Sequence, residues 1–258
     1  MAGETKSKIN LLLRSWPAGT VAVLPWLKKR GIYQQLAYEY ERSGWLQRVG
    51  RGAYVRAGDR VDWTGAVHAI QSQVGLRVHV GGKSALELKG LGHFASAGSG
   101  DYLYLFGGQG QKLPSWFLLH DWGRRIAYKM PLLFKGELEL GLTRHAFPTF
   151  EVQISAPERA VLELLHLVPK EQSAEEAALL IEGLVNLRPK LVQQLLERCN
   201  SIKVKRLFLA LAERSDHSWI KRLSLEKIDL GKGKRVVVSG GALDPKYLVT
   251  LPRLKEEE

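Results

Sequence analysis

The chain has 258 residues, 45% of them apolar and 25% charged, so it is long enough for two folded domains and too hydrophobic to be disordered. Lys and Arg number 38 against 26 Asp and Glu, a net charge of +12 that favours acidic, phosphate-bearing partners. The single cysteine, Cys199, excludes an internal disulfide and a cysteine-cluster metal site; no apolar run approaches the roughly 20 residues of a membrane helix or forms a signal-peptide core, and a cytoplasmic protein is expected.

The positive charge is concentrated. Residues 1–60 hold 11 Lys/Arg and 4 Asp/Glu, residues 188–235 hold 13 and 5, and the stretch between them is slightly acidic. Two short basic regions make an electrostatic footprint for a polyanion a better explanation than a general aid to solubility.

In chain order, Lys6 to Trp16 places Ile9, Leu12, Leu13 and Trp16 on one helical face, and Pro17 and Gly19 end the pattern. A second short helix is expected from Val23 to Arg30, with Pro25 in its first turn and Gly31 after its end. Ile32 to Ser43 reads as a third, with Ile32, Leu36, Ala37 and Tyr40 on one face and Gln34, Gln35, Tyr38 and Arg42 on the other. Two strand-like runs follow, Trp45 to Val49 and Ala53 to Arg56, joined by Gly50-Arg51-Gly52.

Three helices and a hairpin make a winged helix-turn-helix, whose third helix enters the DNA major groove; there amides pair with adenine and Arg with guanine. The candidate DNA-binding residues are Tyr33, Gln34, Gln35, Tyr38 and Arg42 on that helix, with Arg48, Arg51 and Arg56 on the hairpin reaching phosphates or the minor groove. Tyr38 has a second option, packing beneath the hairpin.

The stretch from Gly31-Ile32 through Ser43-Gly44-Trp45-Leu46-Gln47-Arg48-Val49-Gly50-Arg51-Gly52-Ala53-Tyr54 resembles the N-terminal winged helix of the AbiEi antitoxin family. Gly82-Lys83-Ser84-Ala85-Leu86-Glu87-Leu88 with Gly90 and His93, and Ser155 to Leu165, follow in the order of that family's C-terminal domain, so the resemblance spans about residues 5–215. Tyr33 departs from the pattern, which often has a small hydroxyl residue opening the third helix. The resemblance implies an antitoxin of a two-gene toxin–antitoxin system that represses its own promoter at repeated operator sequences and counters a nucleotidyltransferase-like toxin.

Beyond residue 60, helices are expected at Asp62–Gln73 and Lys83–Leu91, and strands at Leu76–Val80, Tyr102–Phe106, Ser115–His120, Arg124–Met130, Glu137–Thr143 and Thr149–Ile154. Ser155 and Glu158 fit a capping box opening a helix with Val161, Leu164, Leu165 and Val168 as its core stripe. Ala174–Leu184, Pro189–Arg198 and Ile202–Arg214 read as further helices, then Lys232-Gly233-Lys234 as a hairpin turn, with Val236–Val238 a buried strand and Tyr247–Leu251 another. The second basic region, with Arg198, Lys203, Lys205 and Arg206 as its candidates, is either scattered solvated charge or a second nucleic-acid surface, for RNA, within residues 188–235.

Catalytic signals are weak. Gly107-Gly108-Gln109-Gly110-Gln111-Lys112 lacks the Gly-Lys-Ser/Thr ending of a phosphate loop and is expected to be a hairpin turn between strands. His120-Asp121 could orient an imidazole and Glu151 could serve a nuclease metal, but Glu151-Val152-Gln153 has Gln where a nuclease motif places Lys, and His68, His79, His93 and His145 read as structural or exposed. No catalytic residue, cofactor or metal site is assigned.

The reading is therefore α+β: a winged helix-turn-helix at residues 1–60 and a larger mixed α/β effector domain at residues 61–258, acting on double-stranded promoter DNA without enzymatic activity. A ligand-responsive winged-helix transcription factor and a nucleic-acid-processing enzyme are the alternatives.

Overall fold

The structure, a computed structural model, describes residues 2–92, 102–136 and 139–252. The chain forms two compact units, one comprising Met1–His79, Gly107–Ile126 and Arg144–Gln153, the other Val80–Phe106, Ala127–Thr143 and Ile154–Glu258.

The first unit begins with α1 (Ala2–Ser15), β1 (Ala22–Val23), α2 (Leu24–Lys28), α3 (Gln34–Arg42), β2 (Leu46–Gly50) and β3 (Ala53–Arg56). The periodic residues Ile9, Leu12 and Trp16 of the first helical segment meet Leu27, Ile32, Ala37, Tyr40, Leu46 and Tyr54 in one buried cluster. The buried Trp16 indole N–H donates to the Thr20 carbonyl and hydroxyl, the partner a buried ring nitrogen requires. Gly31 and Gly52, with φ of +75° and +72°, close α2 and the β2–β3 turn in a conformation that L side chains resist.

Ala22 pairs with Tyr54 and Val23 with Ala53, adding β1 to the hairpin in a three-stranded antiparallel sheet of order β1-β3-β2. Two residues are too few for a strand's alternation to be visible in sequence.

The same unit continues into α4 (Trp63–Ala69), capped by Asp62, whose Oδ1 accepts from the Thr64 N–H at 2.8 Å. A π-helical turn, Ile70–Val74, and Gly75 at φ +75° end it, where a single helix to Gln73 was expected.

Five strands, β4 (Val78–Val80), β5 (Tyr102–Gly107), β6 (Arg125–Lys129), β7 (Leu142–Ala146) and β8 (Glu151–Ser155), form a sheet of order β6-β5-β4-β8-β7. Three expectations are corrected around it. Ser115–Leu119 is a helix, not a strand: Trp116 and Phe117 are buried while Leu118 and Leu119 are 51% and 85% exposed, a two-in, two-out pattern that alternation cannot produce. Residues 107–114 therefore run from a strand into a short helix rather than turning a hairpin. Glu137 and Leu138 lie outside the described residues, and Gly141, at φ +74°, delays the start of β7 to Leu142.

Behind the wing, a Cβ on Gly50 would lie 2.8 Å from that of Trp116, so only glycine lets Ser115–Leu119 approach β2 so closely.

The second unit carries α5 (Gly82–Leu88), α6 (Pro157–Leu167), α7 (Ala174–Glu182), α8 (Pro189–Arg198) and α9 (Ile202–Arg214), then β9 (Ala242–Asp244) and β10 (Val249–Leu251). From Glu158 to Leu167 every residue of α6 except His166 is buried. A helix buried on all sides must satisfy its charges internally. Arg159 Nε donates to Glu163 Oε1 at 2.8 Å, and Glu163 Oε2 accepts from the Ser155 hydroxyl at 2.7 Å and the Gly82 N–H at 3.2 Å.

This network overturns the capping box. The cap position belongs to Ala156, with no side-chain bond, while Ser155 serves Glu163 and Glu158 accepts from the Arg188 guanidinium and backbone N–H at 2.9–3.0 Å. Burial pushes the Glu158 carboxyl up, but the Arg188 bonds outweigh it and hold the group below its ordinary value. A depressed folded-state value means that the stabilisation is present above the ordinary carboxylate range and lost as pH falls through the folded value. In acid melts, Glu158→Gln is expected to show a shallower loss of melting temperature than wild type; identical slopes would place the acid sensitivity elsewhere.

The C-terminal segment also differs from expectation. Val236 is 79% exposed, no strand covers Val236–Val238, and Arg235 makes a single parallel bridge with Val249; the hairpin here is β9–β10. Arg206, from within α9, donates to the carbonyls of Leu230, Gly233 and Leu248, so a buried guanidinium rather than a strand ladder takes up the backbone polarity of this loop.

Candidate nucleic-acid interface

The α3 helix buries Ala37 and Tyr40, with Leu36 half-buried beside them, and Ile32, just ahead of it, is buried as well. The opposite face presents Gln34, Gln35, Tyr38 and Arg42, all exposed, preceded by Tyr33, which is 63% exposed. Tyr38, at 46%, faces outward rather than under the hairpin. Tyr33 occupies the cap position of α3 and makes no side-chain bond there.

The hairpin brings two arginines beside this face. Arg48 donates from Nε and Nη2 to Glu41 Oε2, at 3.1 and 2.7 Å, and its guanidinium lies 5.7 Å from the Tyr54 ring centre. The Glu41 bond holds the Arg48 guanidinium above its ordinary value, against slight desolvation, and ties the last turn of α3 to the wing. Arg51 is exposed at the tip. Leu24, Gln34, Arg48, Arg51, Gly52 and Tyr54 together line a concavity of about 400 Å³ between helix and wing.

Arg56 is turned the other way. Its Nη2 donates to the Leu13 carbonyl at 2.8 Å and its guanidinium lies 5.7 Å from the Trp16 ring, so it fastens α1 to the hairpin and does not join the exposed face. Sequence reasoning passed over Glu41 and Tyr54, which orient Arg48. Glu41 and Arg48 lie seven positions apart across a turn, and neither helical nor strand periodicity links them. It also passed over Trp26, which carries Arg30 at 3.5 Å over its ring near the exposed Lys28 and Lys29.

The proposed second surface is not assembled as expected. Lys205 and Arg206 are 3% and 2% exposed, and Arg198 is half-buried. Lys203 Nζ donates to the carbonyls of His166, at 2.8 Å, and Val168. Lys203 and Arg206 thus spend their charge on backbone carbonyls of the second unit, and Lys205 is buried. In sequence they looked like a solvated face because a long side chain on a core-facing position can still carry its charge to backbone carbonyls.

Among the described residues no three His, Cys, Asp or Glu side chains gather as a metal site would require. Asp121 accepts from the Gly123 N–H, His120 lies against Trp122 at 4.3 Å, and Glu151 pairs with Arg144 at 3.3 Å. His93 lies outside the described residues. No described helix is long and apolar enough to cross a membrane.

Two family profiles match successive parts of the chain. One, described as the N-terminal domain of the AbiEi antitoxin transcriptional regulator, matches residues 5–97; the other, described as the transcriptional regulator, AbiEi antitoxin, of type IV toxin–antitoxin systems, matches residues 101–252. The chain belongs to the AbiEi antitoxin family. The crystal structure of the RV2827C protein from Mycobacterium tuberculosis shares the fold of this AbiEi chain, with a TM-score of 0.62 over 95% of this chain and 90% of that one at 15% identity. No curated protein matches it significantly. The N-terminal AbiEi profile covers the exposed α3 face and the wing, and the second profile covers α6 to α9.

Proposed function

We propose that this AbiEi-family regulator represses its own promoter by seating α3 in the major groove, where Gln34, Gln35, Tyr38 and Arg42 meet base edges and Arg51 grips the phosphate backbone. The observation that carries this reading is the division of α3: its apolar side is consumed by the winged-helix core, and its amide-, tyrosine- and arginine-bearing side is left exposed beside a basic hairpin. Occupied promoter DNA excludes polymerase. In the same reading, the protein counters a nucleotidyltransferase-like toxin encoded beside it, as the family suggests.

The test is binding of the full chain to its own promoter across a salt series, with footprinting of the bound region. Arg51→Ala is expected to weaken binding to all sequences alike and to lower the salt slope by about 1, because a phosphate contact carries no base information. An unchanged affinity at every salt concentration would remove Arg51 from the interface.

A further inference from the structure

The second unit contains a concavity of about 480 Å³ at the C-terminal end of α6, lined by Lys129, His166, Lys170, Glu171 and Lys203 with the Leu167–Pro169 backbone. Three ammonium groups meet one carboxylate there, and Glu171 is already held by Lys129 at 2.5 Å. Lys203 spends two of its donors on the carbonyls of His166 and Val168, leaving a third. Lys170 stands exposed on the rim, and His166 Nδ1 is buried with no hydrogen-bond partner.

Helix termination accounts for part of this cluster. Lys203 neutralises the exposed carbonyl end of α6, and Lys129 neutralises Glu171. Neither role explains why Lys170 is brought to the same hollow or why an imidazole nitrogen is left unsatisfied beside it. Burial, with the Lys203 charge, holds His166 below its ordinary value; burial, with the Lys170 charge, does the same to Lys203. Like charges crowded at a partly desolvated hollow raise one another's energy, and an anion relieves them.

We infer that this hollow binds a phosphate group, as a phosphomonoester or as the phosphates of a nucleotide, with Lys170 and the free donor of Lys203 as its cationic ligands. Three ammonium groups against one carboxylate leave a formal excess of two positive charges, which matches a dianion, and the volume falls in the range of small-molecule sites, with room beyond a single phosphate. The inference does not rest on the DNA reading, since the residues belong to the other compact unit.

The experiment is calorimetric titration of the full chain with inorganic tripolyphosphate and, separately, with a nucleoside triphosphate. Saturable binding is expected, weakened about tenfold or more by Lys170→Ala and unaffected by Arg51→Ala. Tighter binding of the nucleoside triphosphate than of inorganic tripolyphosphate, which carries as many phosphates without the nucleoside, would identify a nucleotide as the occupant; equal affinities would identify the phosphate groups as the whole epitope. Lys203→Met tests the second ligand but removes a cap from α6, so the exposed Lys170 carries the decision. Absence of saturable binding overturns the inference, as does an affinity insensitive to Lys170→Ala or abolished by Arg51→Ala, which would place the anion on the winged helix.

Discussion

Glu163→Ala is expected to destabilise the protein by about 3–5 kcal/mol, lowering the melting temperature by roughly ten degrees. The carboxylate is 1% exposed and receives bonds from Arg159, Ser155 and the Gly82 backbone, drawing α5, β8 and α6 to one point. Its removal leaves the Arg159 guanidinium buried without its counter-charge and deprives two further donors of their acceptor. Glu163→Gln keeps the size and part of the hydrogen bonding, and is expected to fall between alanine and wild type. Thermal and denaturant melts measure both; a Glu163→Ala midpoint within a degree of wild type would show that α6 does not depend on this charge.

Gln34→Ala is expected to act on recognition instead. Gln34 is exposed in the first turn of α3, the part of a recognition helix that reaches base edges, and borders the hollow shared with Arg48 and Arg51. An amide reading one base pair contributes about 1–3 kcal/mol of discrimination, so the variant should lose preference at one operator position while keeping its salt slope. Affinities for an operator series substituted one base pair at a time provide the measurement. A preference profile identical to wild type would move base reading to other residues. The contrast with Arg51→Ala, which should weaken every sequence equally, separates reading from gripping.

The winged helix was legible because each of its helices announces itself locally. Ile9, Leu12 and Trp16 recur at helical spacing, Gly31 and Gly44 punctuate, and Gly50-Arg51-Gly52 marks the turn. The bounds of α8 and α9 were legible too, and the structure adds that the Ser201 hydroxyl caps α9 by accepting from the Val204 N–H. What escaped was set by partners distant in sequence. Trp116-Phe117-Leu118-Leu119 has the composition of a strand, and only the burial of its first pair shows that it is helical. Arg56 and Arg206 look in sequence like surface cations, yet each ends on backbone carbonyls that other segments deliver.

The contact between Gly50 and Trp116 reaches across more than sixty positions of sequence, and the unit that holds it is completed by chain returning at Gly107–Ile126 and again at Arg144–Gln153. Severing the gene after codon 60 would therefore strip the wing of its rear strut and bare an indole, while the downstream remnant would inherit orphaned pieces of the other lobe. Antitoxin and operator activities are better dissected by point replacements than by scissors.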